Sequence, residues 1–279
     1  MPEGPHIRNT ADDLRAALLD RYIEHCKSRL KKSEIEGWRE KIEGSRVVAV
    51  RSHGKNLFID FESGWTLYSH MMMWGSWHVH RLDEEWHKEE SRARVVLQTA
   101  EAVVVLFSAP VCELLRSDEL SNHRTAELGP DFLADTFGVD SQHEIRRRLA
   151  LHPQESIGEA LLNQNVMAGI GNILKSEILF AVKINPLRLS SSLTEQEFER
   201  LMEVATDFMR RSYETHGFKK VFLPPDLQEK VTGLGYVYGR SRRPCLVCDT
   251  PIVMVRQGKT NRKTFYCPHC QPEKSGPER

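Results

Sequence analysis

The 279-residue sequence predicts an α+β protein: an N-terminal antiparallel β-sandwich with a flanking helix, then a helical domain, then a cysteine-stapled ribbon. Three observations carry that expectation. Apolar and polar residues alternate as in strands from about 46 to 110, apolar residues recur at helical spacing beyond 131, and four late cysteines fall into two tight pairs. The expected boundaries are 1–130 for the sandwich domain, 131–236 for the helical domain, 237–271 for the ribbon and 272–279 for a disordered tail.

Ile7, Ala11, Leu14 and Leu18 recur every three to four residues, which predicts an amphipathic helix directly behind the N-terminus. Strands follow. Leu57, Ile59 and Phe61 alternate with Phe58 and Asp60, then come Trp65 to Tyr68 and two β-branched runs, Val95 to Thr99 and Ala102 to Phe107. Ser121-Asn-His-Arg124 and Gly129-Pro130 mark the end of this part. Helical spacing resumes in Ile145 to Leu151, Ile157 to Leu162, Ile173 to Val182, and Phe198, Leu201, Ala205 and Met209, the last helix opened by the capping box Thr194-x-x-Glu197. Between two of these helices, Met167-Ala-Gly-Ile-Gly-Asn172 has the paired glycines of a tight helix-turn-helix connection.

Cys245, Cys248, Cys267 and Cys270 form Cys-x2-Cys-x18-Cys-x2-Cys. That spacing closes a tetrahedral Zn2+ site in a segment too small for a core of its own. Arg240, Arg242, Arg243, Arg256, Lys259, Arg262 and Lys263 surround it against the single acid Asp249, a loading that suits phosphate. The opening MPEGPHIRNT contains no apolar leader, which favours thiolates on a metal over disulfides, and lone Cys26 and Cys112 are expected to be buried thiols. Lys plus Arg and Asp plus Glu both total 39, so only the distribution of charge can speak: a basic ribbon against an acidic stretch, 81–90. No apolar run reaches the ~18 residues of a membrane span. A cytoplasmic protein is expected.

Met1 precedes Pro2, and removal of Met1 would free a secondary amine at Pro2. An α-amino group titrates near ~7.7–8.0, far below lysine, so part of it is nucleophilic at neutral pH. Attack on an aldehydic carbon gives an iminium, a strong electron sink, and Glu3 beside it supplies a carboxyl for proton transfer. Lys55 follows Gly54 in a turn between strands; its ordinary reading there is a solvated lysine.

The opening Met1 to Arg8, the turn His53-Gly54-Lys55, the stretch Gln164 to Asn172 and the ribbon end Arg262 to Gln271 stand in order along nearly the whole chain. Together they resemble the formamidopyrimidine-DNA glycosylase/endonuclease VIII family. The resemblance implies a bifunctional DNA glycosylase/AP lyase of base excision repair whose helical domain is a helix-two-turns-helix unit. Carried over residue by residue, Pro2 attacks C1′ of the damaged nucleotide, Glu3 exchanges protons at the sugar, Lys55 contacts phosphate and assists elimination, and Arg262 grips phosphates beside the lesion. Asn172 would bind backbone phosphate. Zinc, fully ligated by sulfur, holds Arg262 in place.

A base leaving the stack leaves a hole for long apolar side chains. Met72, Met73 and Trp74 lie at the family's void-filling loop, although a Met or Trp ending a strand is equally a core residue. Two positions depart from the endonuclease VIII pattern: Met72 stands where that branch has a glutamine, and Glu127 where it has a DNA-contacting arginine, a place that nearby Arg124 could take. Pro2-Glu-Gly-Pro5 and Ser212 to Gly217 resemble the endonuclease VIII branch, which implies oxidised pyrimidines in double-stranded DNA. The alternatives are an oxidised-purine glycosylase, a protein that is mainly an AP lyase, and a non-catalytic zinc-ribbon DNA-binding protein. Each functional part occurs once, so a monomer near the nucleoid is expected.

Overall fold

A computed structural model describes residues 2–216, 222–229, 233 and 235–273. The chain divides into two compact units, 1–127 and 128–279. The expected tail falls outside the described residues from 274 onward, as does Gly217.

The first unit opens with helix α1 (Gly4–Leu18), whose Pro5 sits in the first turn, where a missing N–H costs nothing. Strand β1 (His25–Ser28) and short helices α2 (Lys31–Ile35) and α3 (Trp38–Ile42) follow. Seven further strands complete the unit: β2 (Val47–His53), β3 (Asn56–Phe61), β4 (Trp65–His70), β5 (Ser76–His80), β6 (Ala93–Gln98), β7 (Val103–Phe107) and β8 (Val111–Arg116). They form two four-stranded antiparallel sheets, ordered β2-β3-β4-β8 and β1-β6-β7-β5. One core lies between them. It joins Leu57, Ile59 and Leu67 of one sheet to Val95, Leu97, Val104 and Leu106 of the other, and Ile7, Ala11, Leu14 and Leu18 add the buried stripe of α1. The sandwich read from the alternation is therefore the fold, and the helical period of the N-terminus is the face that covers it. Cys26 and Cys112 lie in this core, where burial pushes both thiols up to about 12.

The second unit carries α4 (Val139–Ala150), α5 (Ile157–Ala160), α6 (Asn172–Ala181), α7 (Glu195–Glu214) and α8 (Pro225–Gln228), then the hairpin β9 (Val253–Gln257) and β10 (Arg262–Tyr266). Its core gathers Ile145, Ile157, Ile178, Leu201, Ala205 and Met209. The capping box forms as read: the Glu197 N–H donates to Thr194 Oγ1 at 3.2 Å, and the Thr194 N–H to Glu197 Oε2 at 2.9 Å. The run Ile157 to Leu162 is helical only to Ala160. Gly129 is required where it stands, because a Cβ there would lie 2.4 Å from the Val166 backbone. Among the described residues no helix is long and apolar enough to cross a membrane.

Candidate DNA-repair site

In the first unit, Glu3 is the N-cap of α1 and only 3 % exposed, with half-buried Pro2 just before it. Both therefore stand at the positive end of a 15-residue helix, a field that favours a carboxylate and disfavours an ammonium. His6, one turn in, has its pKa lowered chiefly by burial, with Nδ1 lacking a hydrogen-bond partner. α1 packs along β2, where Arg15 donates through Nε to the Val50 carbonyl at 3.1 Å.

The two-residue turn between β2 and β3 is built by Gly54 at φ 57°, the left-handed conformation such hairpins demand. Lys55 is 8 % exposed, so the solvated turn lysine expected from its context is not what the fold makes. Asn56 fixes the corner by donating to the His53 carbonyl at 3.0 Å and accepting from the Tyr68 hydroxyl at 2.9 Å. At the end of β4, burial lowers the His70 pKa first, and the positive charges of Lys55 and Arg124 lower it further. Lys55, His70 and Arg124 thus share one neighbourhood. Neutral His70 Nδ1 accepts the Met72 N–H at 3.1 Å. Arg124 donates to Glu113 Oε1 at 2.7 Å and lies over the Tyr68 ring, and a cleft of about 380 Å³ is lined by Tyr68, His70, Met72 and Arg124. Glu127 is exposed, a carboxylate at the end of this unit.

The loop beyond His70 separates its apolar residues sharply. Met71 is buried at 3 %, whereas Met72, Met73 and Trp74 are exposed at 43, 57 and 75 %. Packing inside the core therefore does not account for these three. Met72 takes φ 50°, and Gly75 is forced because a Cβ would meet the Met71 carbonyl oxygen at 2.7 Å.

In the second unit, the turn before α6 is cinched by Gln164, which accepts the Gly169 N–H at 3.0 Å and donates to the Leu162 carbonyl at 2.9 Å. Gly169 takes φ 99°. Asn172, the first residue of α6, donates to the Lys263 carbonyl at 2.6 Å. Its amide keeps a second hydrogen for another acceptor. Lys175, not singled out by sequence, is 0 % exposed and donates to Asn172 Oδ1 at 2.9 Å and Thr264 Oγ1 at 2.6 Å. These bonds brace β10 at the Lys263 carbonyl and Thr264, one and two residues past Arg262. Gln257 pins the other strand by donating to Ser156 Oγ and the Pro186 carbonyl.

Cys245, Cys248, Cys267 and Cys270 converge with Sγ–Sγ separations of 3.9 Å (245 and 270), 3.5 Å (248 and 267) and 3.4 Å (248 and 270). Sulfurs at ~2.3 Å from a tetrahedral zinc stand about 3.8 Å apart, so the cluster fits one structural Zn2+. The N–H groups of Val247 and Cys270 point at Cys245 Sγ and Cys267 Sγ, as thiolate ligation favours. One reading of the basic ribbon needs correction. Arg240 is buried and donates to the Pro244 carbonyl, so its charge is spent inside the fold; Arg242, Arg243, Arg256, Lys259 and Lys263 are exposed.

Family comparisons match this architecture part by part: the formamidopyrimidine-DNA glycosylase N-terminal domain over residues 1–110, its H2TH domain over 128–222, and a zinc finger found in FPG and IleRS over 243–272. A probable endonuclease 8 of Streptomyces coelicolor is 32 % identical over 278 residues, covering 97 % of this chain and 94 % of that protein. An endonuclease 8 of Klebsiella pneumoniae is 30 % identical, covering 97 and 100 %. Among solved structures, a Lactococcus lactis formamidopyrimidine-DNA glycosylase bound to abasic-site DNA superposes with TM-score 0.80 at 20 % identity, covering 97 and 100 % of the two chains. Sharing three domains in order with these enzymes and about a third of its sequence with the first, this protein belongs to the formamidopyrimidine-DNA glycosylase/endonuclease VIII family.

Proposed function

We propose that this protein, a bifunctional DNA glycosylase and AP lyase of base excision repair, removes oxidised pyrimidines from duplex DNA through a Schiff base at Pro2 followed by β,δ-elimination. The observation that carries the reading is the pairing of Pro2 with buried Glu3 at the positive end of α1. That field keeps part of the amine unprotonated and the carboxylate available. The amine lone pair attacks C1′, the base departs with the glycosidic electrons, and the sugar ring opens as O4′ gains a proton, the role given to Glu3. The resulting iminium acidifies C2′, so loss of that proton expels the 3′ phosphate, and a second elimination expels the 5′ phosphate. Lys55 and Arg262 would hold phosphates during these steps, Asn172 would bind the backbone, and Met72, Met73 and Trp74 would fill the vacated stack, with Arg124 beside them.

The pyrimidine preference is supported by the Pro2-Glu-Gly-Pro5 opening, which resembles the endonuclease VIII branch. The enzyme would act as a monomer at the chromosome in the cytoplasm. A second reading, mainly an AP lyase, is favoured by one observation: an exposed carboxylate, Glu127, stands where that branch has a DNA-contacting arginine. Borohydride trapping on duplexes carrying thymine glycol, 8-oxoguanine or an abasic site tests the chemistry. A covalent adduct is expected at Pro2, absent in Pro2→Gly and in protein retaining Met1; an adduct mapped to an internal lysine overturns the assignment. Single-turnover base release from the two lesion duplexes separates pyrimidine preference, purine preference and lyase-only behaviour.

A further inference from the structure

The segment leaving β5 gathers a second set of metal-ligating side chains, on the sandwich. β5 is an edge strand of its sheet, and His78 and His80, two apart on one face, stack at 6.0 Å between ring centres. The following loop brings Glu84 and His87 back over His80. Glu84 Oε1 lies 3.9 Å from His80 Nδ1 and 3.7 Å from His87 Nε2, and one donor atom from each of the three residues lies within 4.8 Å of the others.

His80 is 2 % exposed, yet neither ring nitrogen has a hydrogen-bond partner. An imidazole always carries at least one N–H, and the neutral ring also carries a lone pair, so burial without partners leaves two strong polar groups unsatisfied. The Trp86 and Phe107 rings packed around it offer no acceptor in their place. His78 is differently placed, because its Nε2 is already bonded to Ser76 Oγ at 2.9 Å, where Lys88 Nζ also donates.

We propose that His80, Glu84 and His87 bind a divalent transition-metal ion of the zinc type, with water at the remaining position. Two imidazoles and a carboxylate suit zinc rather than calcium or magnesium. Nitrogen and oxygen donors at ~2.0–2.1 Å from a tetrahedral ion stand about 3.4 Å apart, so the cluster needs only a small inward rotation of side chains. Glu84 and His87 are exposed, Glu84 keeps Oε1 for the ion while its Oε2 accepts the Arg81 N–H at 3.0 Å, and buried His80 supplies the fixed ligand. Bound ion would pin the acidic 81–90 loop over the outer face of the sheet, where Trp86 packs with Val103, Val105 and Phe107.

The test counts metal on the full-length protein with its ribbon zinc in place. After dialysis against micromolar Zn2+, two zinc ions per chain are expected for the unaltered protein and one for His87→Ala and for Glu84→Gln. Both positions are exposed, so the fold withstands either change. Cobalt loaded at the second position should lack the thiolate-to-metal absorption that cobalt at the cysteines shows. One zinc in the unaltered protein, or two in His87→Ala, overturns the proposal.

Discussion

The zinc ribbon and the Met71–Gly75 loop are both proposed to meet DNA, yet they are built by opposite means. Around Arg262 the ribbon is tied down at several points: Lys175 and Asn172 brace β10, Gln257 pins β9, and four sulfurs close the tip. The loop has one buried anchor, Met71, and two local bonds, Met72 N–H to His70 and Gly75 N–H to the Met71 carbonyl, with three large apolar side chains left in solvent. A group that must meet phosphate gains from being held still before DNA arrives. A group that must replace an extruded base has to be exposed beforehand, and the cost falls on solubility instead.

Four changes probe that contrast, from the largest expected effect to the smallest. Cys267→Ser should release the ribbon ion and unfold the ribbon's tip, since structural zinc is worth roughly 10–16 kcal/mol in isolated fingers; metal analysis should lose one zinc per chain and DNA binding by fluorescence anisotropy should fall to background. Retained binding would mean that the ribbon holds without metal. Lys175→Met strips the hydrogen bonds to Asn172, Thr264 and the Lys263 carbonyl from a buried site and should cost about 2–3 kcal/mol, lowering the melting midpoint by about 5–10 °C, as calorimetry can read.

Trp74→Ala should leave stability within about 0.5 kcal/mol, because the side chain is solvated. Its base-excision rate should nonetheless drop about 10- to 100-fold on duplex, the scale of one lost stacking contact, with a much smaller drop on single-stranded DNA. Equal losses on both substrates would remove the loop from the void-filling role. The smallest effect is a pH dependence. His70 has its pKa lowered in the folded state, so its contribution to stability is complete above the ordinary imidazole value of ~6.5 and is lost as pH falls through the range beneath it. Protonation removes the acceptor for the Met72 N–H. Hydrogen exchange at Met72, corrected for intrinsic rate, should therefore lose protection in acid, and His70→Ala should be unprotected throughout.

Patterns set by local chemistry were legible in the sequence. The cysteine spacing, the Thr194 capping box, the apolar stripe of α1 and the glycines before Asn172 each follow from a short-range rule, and each appears where it was read. Strand order was not legible, because β4 pairs with β8 across more than forty residues and nothing local specifies the partner. β1, β5, α2 and α3 are too short to carry a period. Buried charge was missed for a related reason. Lys55 and Lys175 look like solvated lysines until distant segments fold over them, and the acidic stretch 81–90 hid Glu84 and His87, whose meeting with His80 depends on the loop's return path. Arg240 erred the same way, a surface cation by composition and an interior one by packing.

Glu177, wholly buried in α6, accepts the N–H groups of Tyr236, Val237 and Tyr238, and Gly235 is small because a Cβ would collide with that carboxylate at 2.2 Å. The root of the ribbon is thereby riveted to the helices independently of the metal. Chelation should fray the far tip while its base stays moored, so reloading becomes a local closure of a tethered flap rather than a search by a loose arm.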